Sequence, residues 1–168
     1  MKTPTPTLNV LIIDDEESIR AVTLRMLENL GHHCAVAPDA ESALACLQQA
    51  PAGVVVCDYR LGEQTADGLL AELLARYPGL ERRVILCTGA TTERGVEELV
   101  ERHGLCLLAK PFGKADLAQA LNVVSLLIPS RGRDIGVGPG GGWPRVQSQC
   151  DGSWHLIFLL SPSRRGAG

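Results

Sequence analysis

Four short stretches of this chain carry residues that can do chemistry, and each closes an apolar run. The pair Asp14-Asp15 follows residues 8–13, and Asp58 ends residues 53–58. Thr88 ends residues 84–88, and Lys110 follows residues 105–109. Carboxylates brought together repel one another, and each raises its neighbours' pKa. A divalent cation resolves that repulsion, and oxygen ligands without Cys or His favour Mg2+ over zinc. The Thr88 hydroxyl and the mobile point charge of Lys110 complete a set suited to phosphoryl transfer. In such a site a carboxylate attacks phosphorus, while cation, hydroxyl and lysine neutralise the oxygens of the transferring group. Each feature alone has an ordinary reading: an acidic pair after a strand is commonly a solvated helix start. The specific signal is acid, acid, hydroxyl and amine at four successive strand ends.

The elements that must position these residues follow from hydrophobic patterning. Residues 8–13, 33–37, 53–58, 84–88 and 105–109 are short, mostly apolar runs bounded by turn residues, which reads as buried strands. Helical spacing fills the intervals. Ile19, Val22, Met26, Leu27 and Leu30 precede a stop at Gly31. Ala43, Leu44 and Leu47 precede Pro51. Leu69, Leu70, Leu73 and Leu74 lie in a helix over 68–77, ended by Pro78-Gly79. A further helix over 91–103 carries Val96, Leu99 and Val100, and the last runs over 114–128. Residues 60–67 read as a polar loop. Strand and helix thus alternate five times, which implies a parallel sheet covered on both faces by right-handed crossovers. The expected fold is α/β, a flavodoxin-like doubly wound (βα)5 sandwich with strand order 2-1-3-4-5. In that order the first and third strands are neighbours, so Asp14, Asp15 and Asp58 converge at one edge of the sheet.

The chain has 168 residues and a net charge of −3, enough for one domain and no general attraction to nucleic acid. Composition changes at Pro129. Residues 129–168 hold nine of the eighteen Gly and four of the ten Pro, with five Arg against two Asp. That range suits disorder rather than a packed core. The expected division is a disordered leader over 1–6, a domain over 7–128 and a mostly disordered tail over 129–168. Within the tail, Trp154 to Leu160 is the one apolar segment, able to dock on the domain or on a partner. Six Cys without a C-x-x-C pair read as small buried hydrophobes in a reducing compartment. With neither a secretory leader nor an apolar run of about 18 residues, the expected location is cytoplasmic, away from membranes.

Asp14-Asp15, Asp58, Thr88 and Lys110-Pro111 are the motifs by which the chain resembles the receiver domains of two-component response regulators. The separations agree with that family: 30 positions from Asp58 to Thr88 and 22 from Thr88 to Lys110. The resemblance covers roughly residues 8–128 and implies a signalling module rather than an enzyme. It implies that Asp58 accepts a phosphoryl group from a phosphohistidine on a sensor histidine kinase or histidine phosphotransfer protein. Asp15, Asp58 and the backbone carbonyl of Arg60 would bind Mg2+, with Asp14 acting mostly through ordered water. Thr88 and Lys110 would hold the phosphoryl oxygens and couple them to the face made by the fourth helix, fifth strand and fifth helix. On that face a homodimer or a downstream protein would dock. The second apolar side of the last helix, Val123, Leu126 and Leu127, fits such a contact.

Some positions depart from the family pattern. Gly62 stands where Pro is frequent, and the loop after it is about two residues longer than usual. Leu107 stands where a switch aromatic is common. Asp-Tyr-Arg-Leu-Gly resembles receivers attached to hybrid sensor kinases, so both a stand-alone receiver and a hybrid-kinase receiver stay open. Other classes fit less well. A haloacid-dehalogenase-type phosphatase needs a second Asp where Arg60 stands. A flavodoxin-like nucleotide binder needs a first loop that attracts phosphate, and Asp14 to Glu17 repel it. The remaining alternative is a receiver fold that binds partners without phosphorylation.

Overall fold

The computed structural model describes residues 6–89 and 93–126. The expected tail and all of the expected leader except Pro6 lie outside the described residues. Among the described residues thirteen elements follow in order. They are β1 (Asn9–Ile13), α1 (Glu17–Asn29), β2 (His33–Ala37), α2 (Ala40–Gln49), β3 (Val54–Asp58), β4 (Arg60–Leu61), β5 (Gln64–Thr65), α3 (Ala66–Arg76), a 3-10 turn (Pro78–Leu80), β6 (Val84–Thr88), α4 (Arg94–His103), β7 (Cys106–Ala109) and α5 (Lys114–Leu126). Five strands form one parallel sheet in the order β2-β1-β3-β6-β7. This is the expected 2-1-3-4-5 order. The two additional strand numbers belong to a separate small hairpin.

Alternation along each strand splits the core in two. Leu11, Ile13, Val55, Cys57, Val84 and Leu86 face one side, where Ala43 and Leu47 of α2, Leu70 and Leu73 of α3, and Val96 and Leu99 of α4 cover them. Val10, Ile12, Val54, Val56, Ile85 and Cys87 face the other, under Leu27 of α1 and Leu117, Leu121 and Val124 of α5. Burial on both faces explains why β1, β3 and β6 are almost uninterrupted apolar runs.

Helix ends follow local chemistry. The Asp39 carboxylate accepts the Ser42 N–H at 2.7 Å and caps α2. Gly104, at φ +60°, takes the left-handed position that ends α4.

The structure corrects several expectations. The polar loop expected over 60–67 contains the β4–β5 hairpin, with Arg60 opposite Thr65 and Leu61 opposite Gln64. Helix α3 consequently starts at Ala66, two residues early. The described part of α4 begins at Arg94, and residues 90–92 lie outside the described residues. Val22 is half exposed rather than in the core. The inward face of α1 is Thr23 and the expected Leu27, one turn apart, with the expected Met26 and Leu30 packed against the core beside them. His32, just after the Gly31 stop, is buried, and its Nδ1 accepts the Leu8 N–H at 3.3 Å. Of the cysteines expected to be buried, Cys34, Cys57 and Cys87 are, whereas Cys46 and Cys106 are only half-buried; burial pushes the Cys34 and Cys87 thiols up to about 12, which makes them inert as nucleophiles at neutral pH.

Candidate functional site

Sheet register decides which side chains meet. Ile13 pairs with Cys57 across β1 and β3, so Asp14 and Asp58 leave the sheet side by side. Asp58 pairs with Cys87, and Thr88 with Ala109, which brings Lys110 to the same edge from β7. All these groups therefore stand at the carboxyl edge, where open α/β sheets hold their ligands. The Lys110 N–H donates to the Thr88 carbonyl at 2.8 Å and fixes the end of β7 against β6. Thr88 itself is buried.

Lys110 reaches two carboxylates. Its Nζ lies 3.2 Å from Asp58 Oδ2 and 3.4 Å from Asp14 Oδ2. Asp14 is buried; its Oδ1 accepts the Glu16 N–H at 2.9 Å, and its carbonyl accepts the Arg20 guanidinium at 2.7 Å. Asp15 is exposed, and its Oδ2 accepts the Gly62 N–H at 2.9 Å. One carboxylate oxygen from each of Asp14, Asp15 and Asp58 lies within 4.8 Å of the others.

The electrostatics are those of an undercompensated acidic pocket. Burial raises the Asp58 pKa above the ordinary carboxylate value. Lys110 opposes that rise, and the Asp14 charge adds to it. Burial works against the Lys110 ammonium, but Asp58 and Asp14 outweigh it and raise its pKa. Three carboxylates against one ammonium leave negative charge unbalanced. The ligand set is all oxygen, hard and close-set, and it fits a hard divalent cation.

The hairpin borders the three carboxylates. The Ala66 N–H donates to the Tyr59 carbonyl at 2.7 Å, while the Tyr59 N–H donates to the Cys87 carbonyl at 2.8 Å. The bond from Ala66 flanks Arg60 and Thr65, which makes them a non-bonded pair. The Arg60 N–H and C=O therefore point away from β5. The N–H reaches the Asp58 carboxylate and lowers its pKa. Through its guanidinium, Arg60 pairs with Glu93 at 2.8 Å, tying the hairpin to the start of α4. Tyr59 is buried against α4, where its hydroxyl packs on Gly95.

All five side chains singled out in the sequence, Asp14, Asp15, Asp58, Thr88 and Lys110, thus stand at one edge. Sequence reasoning missed the groups that hold Asp14 and Asp15, the Glu16 and Gly62 amides and the Arg20 guanidinium, and it missed Glu93, which holds Arg60. Only Gly62 left a trace in the sequence, as a departure from the resembled pattern.

Residues 10–122 match the family model described as the response regulator receiver domain. The chain belongs to this family. The two-component response regulator PprB of Pseudomonas aeruginosa is 33% identical over 116 residues, 67% of this chain and 42% of that protein. A putative NtrX-like response regulator of Rickettsia conorii is 34% identical over 112 residues, 66% of this chain and 23% of that protein. The chain therefore spans less than half the length of these curated relatives. Among solved structures, the chemotaxis protein CheY4 of Vibrio cholerae shares the fold at a TM-score of 0.64. It is 24% identical, and the match covers 70% of this chain and 98% of that one. The receiver domain of the Pseudomonas aeruginosa sensor histidine kinase PA1611 has a TM-score of 0.62 at 23% identity, over 71% and 98% of the two chains. It was solved with magnesium in its active site cleft. The receiver described here has the same flavodoxin-like architecture and a three-aspartate pocket at the carboxyl edge of its sheet. Among the described residues, no helix is long and apolar enough to cross a membrane.

Proposed function

We propose that this receiver is a phosphoacceptor in a two-component or phosphorelay system, with Asp58 as the accepting residue and Mg2+ as its cation. The observation that carries the reading is Lys110 Nζ held between Asp58 and Asp14 inside the three-carboxylate cluster. An Asp58 carboxylate oxygen attacks the phosphorus of a phosphohistidine. A P–O bond forms, the P–N bond breaks, and the imidazole departs. Asp58, Asp15 and the Arg60 carbonyl would hold the cation, and Asp14 would act through water. When bound, Mg2+ would supply neutralising positive charge to the transferring group and the carboxylates. Lys110 exchanges its Asp58 contact for a phosphoryl oxygen, and the Thr88 hydroxyl binds another. Gly89 leaves room beside Thr88 for water, so hydrolysis back to aspartate and inorganic phosphate meets no steric block there.

The donor is a sensor histidine kinase or histidine phosphotransfer protein, and the setting is cytoplasmic. Output passes through the face of α4, β7 and α5, where Val123 and Leu126 are exposed, as a homodimer contact or a downstream partner site. One observation favours a second reading, a partner-binding module that works without phosphorylation. Leu107, partly exposed on β7, takes the place of the switch aromatic.

Incubation with acetyl phosphate and Mg2+ tests the two readings. An acid-stable, hydroxylamine-labile phosphoryl group that disappears in Asp58→Asn is the expected result. A group that persists at its usual level in Asp58→Asn contradicts the assignment. Absence of any group on a folded, Mg2+-binding protein favours the second reading.

A further inference from the structure

We infer that the Gly62 backbone amide is a positioning group for the cation site, holding Asp15 in its ligating orientation through the β4–β5 hairpin. This rests on the proposed Mg2+ site and names a residue outside its ligand set. The three carboxylates are not equally restrained. Asp14 is gripped by the Glu16 N–H and by Lys110, and Asp58 by Lys110 and the Arg60 N–H. Asp15 is exposed at the end of its strand. Among the described residues its carboxylate has one hydrogen-bond partner, the Gly62 N–H, 47 positions away. Without it, the Asp15 side chain rotates freely, and ordering it on cation binding costs entropy.

The amide suits that role for three reasons. First, it stands on a restrained element. Leu61 packs against the core, Arg60 pairs with Glu93, and the Tyr59 carbonyl accepts the Ala66 N–H. Second, the amide uses one lone pair on Oδ2, and a carboxylate has about four such sites in all. The remainder can face the neighbouring Asp14 and Asp58 oxygens within the same 4.8 Å cluster. Third, Gly62 has φ +66°, a left-handed conformation, and no atom lies within 4 Å of where its Cβ would stand. The position therefore asks for glycine because of backbone conformation and not for lack of space. Proline, the frequent residue at this position in the resembled pattern, has no N–H and a φ fixed near −65°. It cannot make this bond. The lengthened loop and the glycine are thus two parts of one device.

The test is Mg2+ titration by calorimetry on the full chain, for wild type, Gly62→Pro and Gly62→Asn, with thermal melts alongside. Asparagine tolerates positive φ and keeps the N–H. Gly62→Pro is expected to weaken Mg2+ binding by about 10- to 100-fold, the usual effect of losing a ligand's hydrogen-bond partner. Gly62→Asn is expected to lose less than the tenfold at the low end of that range. Equal affinity in wild type and Gly62→Pro overturns the inference, and so does Gly62→Asn binding as weakly as the proline variant. A wild type that binds no Mg2+ overturns the proposed cation site itself, which is a separate failure. A second measurement needs no variant. In 15N-resolved NMR of the wild type, the Gly62 amide proton should keep its downfield, hydrogen-bonded shift when Mg2+ is added. Its return to an unbonded shift on Mg2+ addition contradicts a positioning role.

Discussion

Lys110 Nζ stands 3.2 Å from Asp58 Oδ2, although 52 positions separate the two residues in the chain. The contact exists because β3, β6 and β7 are consecutive in the sheet and end at one edge. It makes Lys110 the resident cation of a pocket that holds three carboxylates.

Replacing that cation has opposite effects on stability and on metal binding. Lys110→Met leaves Asp14 and Asp58 without their ammonium, and it should cost about 1–3 kcal/mol in the absence of Mg2+. The loss is read as a lower urea midpoint. The emptier pocket should bind Mg2+ more tightly than wild type, so saturating Mg2+ should recover part of the stability. Weaker Mg2+ binding in Lys110→Met would contradict this electrostatic picture.

The raised pKa of Asp58 carries a pH signature. A carboxyl group whose folded pKa lies above its unfolded value binds its proton more tightly in the fold. The folded state is thus relatively most stable below the unfolded value near 3.8, and it loses that advantage as pH rises through the folded pKa. Asn mimics the neutral carboxyl. Asp58→Asn should therefore melt higher than wild type at pH 7 without Mg2+, and the difference should shrink as the pH falls toward 3. A variant less stable than wild type at pH 7 would show that the Lys110 contact outweighs burial and the Asp14 charge.

Tyr59 and Gly95 are matched in size. A Cβ at Gly95 would collide with the Tyr59 hydroxyl but only touch the ring carbon beneath it, at 3.6 Å. Gly95→Ala should therefore destabilise by about 1–3 kcal/mol despite alanine's better helix propensity. Adding Tyr59→Phe should restore most of the loss. A double-mutant cycle by urea unfolding measures the coupling, and additive effects would mean that the two residues do not press on each other.

The Arg60–Glu93 pair is exposed on the arginine side, so its own stability contribution is small. Glu93→Gln should lower stability by less than about 1 kcal/mol, and the effect should vanish in high salt. A loss several times larger would mean that the pair anchors the hairpin more firmly than an exposed bridge can.

Most of the fold was legible because the parallel strands are buried on both faces. Residues such as Val54, Val55 and Val56 then form runs that no exposed segment would tolerate. The five side chains of the site were legible because chemistry dictates their type and topology dictates their strand ends. The hairpin was not. Arg60-Leu61 and Gln64-Thr65 are too short for alternation to register, and one two-residue strand against another leaves no periodic signal. The orientation of α1 was misjudged at Val22 because apolar residues occupy more than one of its faces. Packing put Thr23 and Leu27 in the core with Met26 and Leu30 against it, and Ile19 and Val22 line a groove of about 320 Å³ beside Pro111 and Phe112. Backbone donors such as the Glu16 and Gly62 amides were the least visible, since every residue except proline carries one. Only the folded geometry decides which of them matter.

The most direct measurement is the intact mass of the full chain after exposure to acetyl phosphate, with and without Mg2+, beside Asp58→Asn. A Mg2+-dependent gain of one phosphoryl group, about 80 Da, absent from the variant, is the result expected of a carboxylate acceptor in this pocket. An equal gain without Mg2+, or an undiminished gain in Asp58→Asn, would contradict it.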